Sequence, residues 1–258
     1  MNSFQHHPVK QIRENTRRQV ILADVNIPYK FSLDRSKNHL FFCINADEFS
    51  EQSFHSVVLE LHGGSTTIVP GIRNGFASAV DHASGSVYLG GSDGIYKYNY
   101  QTKDVITPSL IGEIDIFDMY FQKYLYFVDT ANQNLYTYKN NKVTIVPELK
   151  DHQILHFVID VDDNIIFVNG AGIHILPKGE KSAILYDNRN INIRGATTDI
   201  NGLPFFIAQD GIYKIGDNME LVKILILENG YGLAFDKDNN IVYSDERTVN
   251  KLIPCDKY

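Results

Sequence analysis

The sequence predicts an all-β chain, a six-bladed β-propeller built from four-stranded blades. Three observations carry this expectation. Short apolar or alternating runs are punctuated throughout by Gly, Asn, Asp and Ser, the signature of strands and tight turns. A strand ending in aspartate recurs, with the aspartates at Asp34, Asp81, Asp160, Asp199 and Asp236, so the spacings are 47, 79, 39 and 37 residues. The doubled spacing leaves room for one degenerate copy, and Ile116-Phe117-Asp118-Met119-Tyr120-Phe121 fills it, with Gln122-Lys123 as the turn. A single four-stranded blade cannot cover both of its faces. Radial packing of repeats of about 40 residues covers them and leaves only short edges.

The clearest copy runs from residue 74 to 100, NGFASAVDHASGSVYLGGSDGIYKYNY. Ala77, Ala79 and Asp81 alternate with Ser78 and Val80, and His82-Ala83-Ser84-Gly85 turns the chain. Val87-Tyr88-Leu89 is a short apolar strand, Gly90 to Gly94 breaks it, and Ile95-Tyr96-Lys97-Tyr98 alternates again. Related second strands are Leu40-Phe41-Phe42, Leu125-Tyr126-Phe127, Ile165-Ile166-Phe167, Pro204-Phe205-Phe206 and Ile241-Val242-Tyr243. Third strands read at 93–98, 134–139, 172–176 and 210–215, and fourth strands at 65–69, 104–107, 142–146, 182–186 and 221–227. The sixth copy, beginning at Tyr231, holds only three strands. Residues 18–23, RQVILA, are expected to supply its missing outer strand and close the ring. The domain is then 17–258, with 1–16 as a flexible tail. Closure makes the first and last blades neighbours. It leaves two arrangements open for Cys43 and Cys255: a disulfide across the closure, or a buried Cys43 with an exposed Cys255.

Composition narrows the functional classes. The 258 residues are 43% hydrophobic and 21% charged, which is ordinary for a globular chain with a substantial core. The net charge is −7 and Arg13, Arg17 and Arg18 form the sole basic cluster, so a nucleic-acid partner is not expected. No apolar run approaches the roughly 20 residues of a membrane span. The N-terminal stretch MNSFQHHPVKQIRENTRR lacks the apolar segment of a secretory leader.

In such a ring the first strands line the central channel. The loops leading into them share one mouth with the loops joining second and third strands. The first set of positions carries Tyr29, Asn74, Phe76, Phe117, Asp118, His156, Arg194 and Tyr231. The second carries Asn45, Gly91, Asp129, Asn169, Gln209 and Asp245. Aromatic faces can stack on a flat ligand, and Arg194 can pair with a carboxylate. The glycines at 90–94 are expected to keep that part of the mouth open. Asp129, Asn169 and Asp245 are oxygen donors of calcium type, but the Glu/Asn/Asp cluster of calcium-dependent propeller hydrolases cannot be assembled. No G-x-S-x-G elbow is present. His156 reads more simply as a wall residue than as a general base, and the blade-ending aspartates read as turn anchors. No catalytic residue, metal or cofactor is expected. The site reads as a small-molecule pocket, with a calcium-dependent lactonase or a protein-interaction propeller as the alternatives.

The runs NGFASAVD, VYLGGSDGIYKYNY, HFVIDVDDNIIF, RGATTDINGLP and GLAFDKDNNIVYSD, spread from about residue 27 to the C-terminus, resemble the ommochrome-binding proteins of insect haemolymph. The resemblance implies a secreted carrier for tryptophan-derived phenoxazinone pigments such as xanthommatin and the ommatins. These are flat, coloured molecules bearing amino-acid carboxylates. It transfers no individual binding residue.

Overall fold

The computed structural model describes residues 16–216 and 220–255. The chain opens with β1 (Thr16–Leu22) and then lays down six antiparallel blades. Blade one is β2 (Tyr29–Asp34), β3 (His39–Asn45), β4 (Phe54–Glu60) and β5 (Ser65–Ile68). Blade two is β6 (Ala77–Asp81), β7 (Ser86–Gly91), β8 (Gly94–Asn99) and β9 (Asp104–Gly112). Blade three is β10 (Ile116–Gln122), β11 (Tyr124–Asp129), β12 (Leu135–Lys139) and β13 (Lys142–Ile145). Blade four is β14 (His156–Ile159), β15 (Ile165–Asn169), β16 (Gly172–Leu176) and β17 (Ile184–Asp187). Blade five is β18 (Ile193–Thr198), β19 (Pro204–Ala208), β20 (Gly211–Ile215) and β21 (Leu221–Ile226). Blade six is β22 (Leu233–Phe235), β23 (Ile241–Ser244) and β24 (Val249–Pro254), with β1 as its outer strand.

The closing strand pairs antiparallel with β24, from Thr16 opposite Pro254 to Leu22 opposite Val249. It starts two residues earlier than the sequence suggests. The proposed tail, residues 1–15, lies outside the described residues. Both cysteines are free, Cys43 buried within β3 and Cys255 exposed, so the closure has no disulfide. Hydrogen bonds hold it instead: Val25 N–H and Ile27 N–H donate to Arg247 and Glu246 carbonyls, and Arg18 reaches Asn250, Thr248 and Asp245.

Burial follows the radial logic. The second strand of every blade is mostly buried, while outer strands such as β5 and β13 are largely exposed. The core is not one mass. It divides into six clusters, one at each blade junction. Phe41 meets Leu89 and Tyr98 between blades one and two, and Ala77 meets Ile116 and Phe127 between two and three. Phe31 and Leu40 meet Ala234 and Val242 across the closure.

Asp34, Asp81, Asp160, Asp199 and Asp236 accept backbone N–H groups two to four residues ahead, as at Asp236 with Asp238 and Asn240. They fix the tight turns between first and second strands. The glycine-rich loop does not hold a mouth open. A Cβ at Gly90 would lie 2.6 Å from Ile116 and Met119, and one at Gly91 would lie 2.3 Å from the Arg73 carbonyl oxygen. These residues are glycine because blades pack against their backbone. The fourth strand of blade two also runs on past Pro108 to Gly112, which an outer strand tolerates because proline's missing N–H faces no further partner.

Candidate functional site

The first strands surround an axial cavity of about 290 Å³. It runs from Lys30, Asp118 and His156 to the turns that join first and second strands. The two ends of the ring are therefore distinct: a loop face, where first strands begin, and a turn face, where they end.

Three first strands depart from regular pairing where they begin. The register with the second strand shifts between Tyr29 and Ser32, between Ile116 and Asp118, and between Ile193 and Gly195. A bulge inserts one unpaired residue and re-aims the side chains beside it. Lys30, at φ 58°, sits in the first of these bulges, Phe117 in the second and Arg194 in the third.

At the loop face the aromatic residues pack on one another. Tyr29 lies edge-on to Phe54 at 6.0 Å and to Phe76 at 5.4 Å, and Phe76 stacks on Phe117 at 5.8 Å. The Lys30 ammonium lies beneath, 4.8 Å from the Phe117 ring centre and 5.6 Å from that of Phe76. Tyr29 O–H donates to Asn45 Oδ1 at 3.0 Å. The Arg194 guanidinium stacks on Tyr231 at 4.2 Å and donates to the Gly230 carbonyl. Asn74 Oδ1 accepts from Ser53 N–H at 2.7 Å, which pins a loop of blade one.

Behind the rings lies a buried polar group. Lys30 Nζ is 3.1 Å from Asp118 Oδ1 and 3.3 Å from His156 Nδ1, and His156 Nδ1 is 3.6 Å from Asp118 Oδ2. The lysine side chain is 7% exposed. An ammonium only donates, so Nδ1 accepts from it and the neutral imidazole carries its proton on Nε2. Burial, and then the Lys30 cation, hold His156 below its ordinary pKa. Burial alone would raise the Asp118 carboxyl, but Lys30 and His156 outweigh it and keep it below the carboxylate range. Near neutral pH the group is therefore one cation, one anion and one neutral ring, with no net charge.

Asp129, Asn169, Gln209 and Asp245 do not meet at the axis. They stand one strand out and are used locally. Asp129 accepts from Asn132 and Asn134 N–H, and Asn169 bonds Ala171 N–H and the His152 carbonyl. Gln209 accepts from Asn192, and Asp245 anchors Arg247, Thr248 and Arg18. Among the described residues, no group of three or more His, Cys, Asp or Glu is arranged to hold a metal ion. Sequence reasoning missed Phe54, Lys30 and Arg35. Phe54 begins a strand whose motif differs from the other third strands. Lys30 depends on a bulge. Arg35 lies in a turn assigned to the far side of the ring, yet lines the cavity.

No protein-family model matches the chain. Among solved structures, a gluconolactonase from Xanthomonas campestris superposes with a TM-score of 0.73 at 10% identity, over 93% of this chain and 90% of that one. The calcium-binding protein regucalcin from Agrobacterium tumefaciens superposes with a TM-score of 0.71 at 12% identity, over 93% and 96%. At these identities the likeness is one of fold. The ommochrome-binding protein of Manduca sexta is 30% identical over 249 residues, covering 95% of this chain and 90% of that protein. With that identity across nearly the whole ring, the chain belongs to the ommochrome-binding protein family.

Proposed function

We propose that this protein is a non-enzymatic carrier that holds an ommochrome-type pigment, or a precursor of one, in its axial channel. The observation that carries the reading is the cavity of about 290 Å³, closed at its inner end by the Lys30–Asp118–His156 group and the rings behind it. Its volume lies at the small end of the roughly 300–1,000 Å³ of small-molecule pockets, which suits a narrow, flat ligand. The inner group offers donors and an acceptor to a polar edge of such a ligand, while its lack of net charge keeps it stable when the cavity is empty. Arg194, Tyr231 and the Phe76–Phe117 pair offer cationic and aromatic surface at the loop face. The family supports the ligand class, and a secreted protein of the haemolymph is the setting that reading implies.

The test is a titration with xanthommatin, following its visible spectrum and the protein's tyrosine fluorescence. A saturable spectral shift with quenching below about 10 μM ligand is expected, a binding free energy of about −7 kcal/mol. An unperturbed spectrum at tens of micromolar would end the reading.

A further inference from the structure

Arg35 follows the turn-anchoring Asp34 of blade one, yet its guanidinium bonds blades five and six. Nε donates to the Phe235 carbonyl at 3.1 Å and Nη2 to the Thr198 carbonyl at 3.4 Å. Its charge also acts on His82 of blade two and on Tyr120 of blade three, and feels Asp199 and Asp236 after the first strands of blades five and six. A cation felt from that many blades sits over the axis, at the turn-face end of the cavity it lines.

Among the described residues that cation makes no direct ion pair, since its hydrogen bonds end on carbonyl oxygens, while Asp199 and Asp236 act on it at longer range. The nearby acids are committed elsewhere. Asp34 accepts from Ser36, Lys37 and Tyr100. Asp199 accepts from Asn201, Leu203 and Asn239. Asp236 takes Asn240 and Lys251. The other lining cation, Lys30, already has Asp118. A half-buried guanidinium with N–H groups to spare has a geometry that suits a carboxylate in two parallel bonds. Val161 and Ile200 line the same cavity and are 57% and 43% exposed. A cation sharing an opening with exposed apolar side chains fits a ligand with a flat apolar body and one acidic end.

From this geometry we infer that Arg35 is the carboxylate-recognition residue of the channel, and that the ligand enters at the turn face with its acidic end held there. This deepens the carrier reading and rests on it for the identity of the ligand. It places the carboxylate at the end of the channel opposite Arg194.

The test compares xanthommatin with its fully esterified form, against the wild type, Arg35→Gln and Arg35→Lys. The wild type should prefer the acid at least about tenfold, which is about 1.4 kcal/mol. Arg35→Gln should bind acid and ester within about twofold of each other and keep its affinity for the ester, and Arg35→Lys should retain part of the preference. A residue acting only as a tie between blades would weaken both ligands equally. An acid-to-ester ratio in Arg35→Gln equal to the wild-type ratio overturns the inference and leaves the carrier reading standing. If the wild type ignores xanthommatin, the second probe is quinaldate, with quinoline as its uncharged control. The Arg35 Nε–H resonance, identified by its absence from the Arg35→Gln spectrum, should shift saturably with quinaldate and not with quinoline. That result would retire the pigment and keep the anion site. No shift with either would overturn the inference.

Discussion

At the loop face the channel ends in rings packed edge to face and in an ion pair that satisfies itself. At the turn face it ends in a guanidinium with only carbonyl oxygens to bond. Both ends are lined by first strands of the same repeat, yet one is complete without a ligand and the other carries a guanidinium with no direct ion pair among the described residues. The difference separates two uses of a buried cation. Lys30 is part of what holds blades one, three and four in register. Arg35 is positioned by its neighbours and left with bonding capacity.

The largest effect that would test this division is at Asp118. Removing one partner of a buried pair strands the other charge, so Asp118→Ala should lower stability by about 3–5 kcal/mol in urea unfolding. Lys30→Met combined with Asp118→Leu should recover most of that loss. If the single variant lost under about 1 kcal/mol, the loop-face end would not be the structural end.

Next is the path of the ligand. Val161→Trp narrows the turn-face opening and should slow association by about tenfold in stopped-flow mixing with xanthommatin. Phe54→Ala, which loosens the ring cluster, should leave the association rate within about twofold. The reverse pattern would move the entrance to the loop face.

The loop-face end contributes to the acid response, together with His82 at the turn face, which burial pushes down to about 4, and His174, which burial also holds below its ordinary pKa. His156 is held below its ordinary pKa in the fold, while the unfolded chain titrates near about 6.5. Between those values the unfolded chain binds more protons. The contribution of His156 is therefore fully present above pH ~6.5 and lost as pH falls, with a slope of up to about 1.4 kcal/mol per pH unit. Asp118, also depressed, acts in the same direction below about pH 4. Stability measured from pH 7.5 to 5 should fall, and His156→Gln should make that part of the profile shallower, leaving the share of His82 and His174.

The smallest effect is expected at Arg194. Its stacking on Tyr231 and its one carbonyl bond are partly exposed, so Arg194→Ala should destabilise by about 0.5–1 kcal/mol in thermal unfolding. A much larger loss would mean that the loop face depends on this cation as it does on Lys30.

Much of this was legible in the sequence because the repeat alternates with period two and ends each first strand at a turn-forming aspartate. That pattern located Asp118 and His156 on first strands and Phe76 and Tyr231 in the loops leading into them, and it identified the closing strand by counting what the sixth copy lacked. It could not locate Lys30, whose inward side chain follows from a positive φ inside a bulge that no local residue pattern announces. It could not locate Arg35 either. A turn residue reads as solvent-facing until the ring is closed and the turn is seen to overlook the axis. The strand-two ends misled for a related reason: Asp129 and Asp245 have ligand chemistry, but in a blade they stand one strand from the channel and are used by their own loops.

The bulges have a further consequence. They occur in the first strands of blades one, three and five, while those of blades two, four and six pair without interruption. The ring is sixfold in architecture and threefold in how its axis is furnished. Even blades act as plain staves, and odd blades deliver the irregular side chains. Changes at 117 and 194 can therefore alter the loop end of the axis without disturbing the alternation that keeps the barrel of blades round, whereas a change at 30 would strand the buried Asp118. A library restricted to 117 and 194 would search ligand preference in a scaffold whose six seams stay intact.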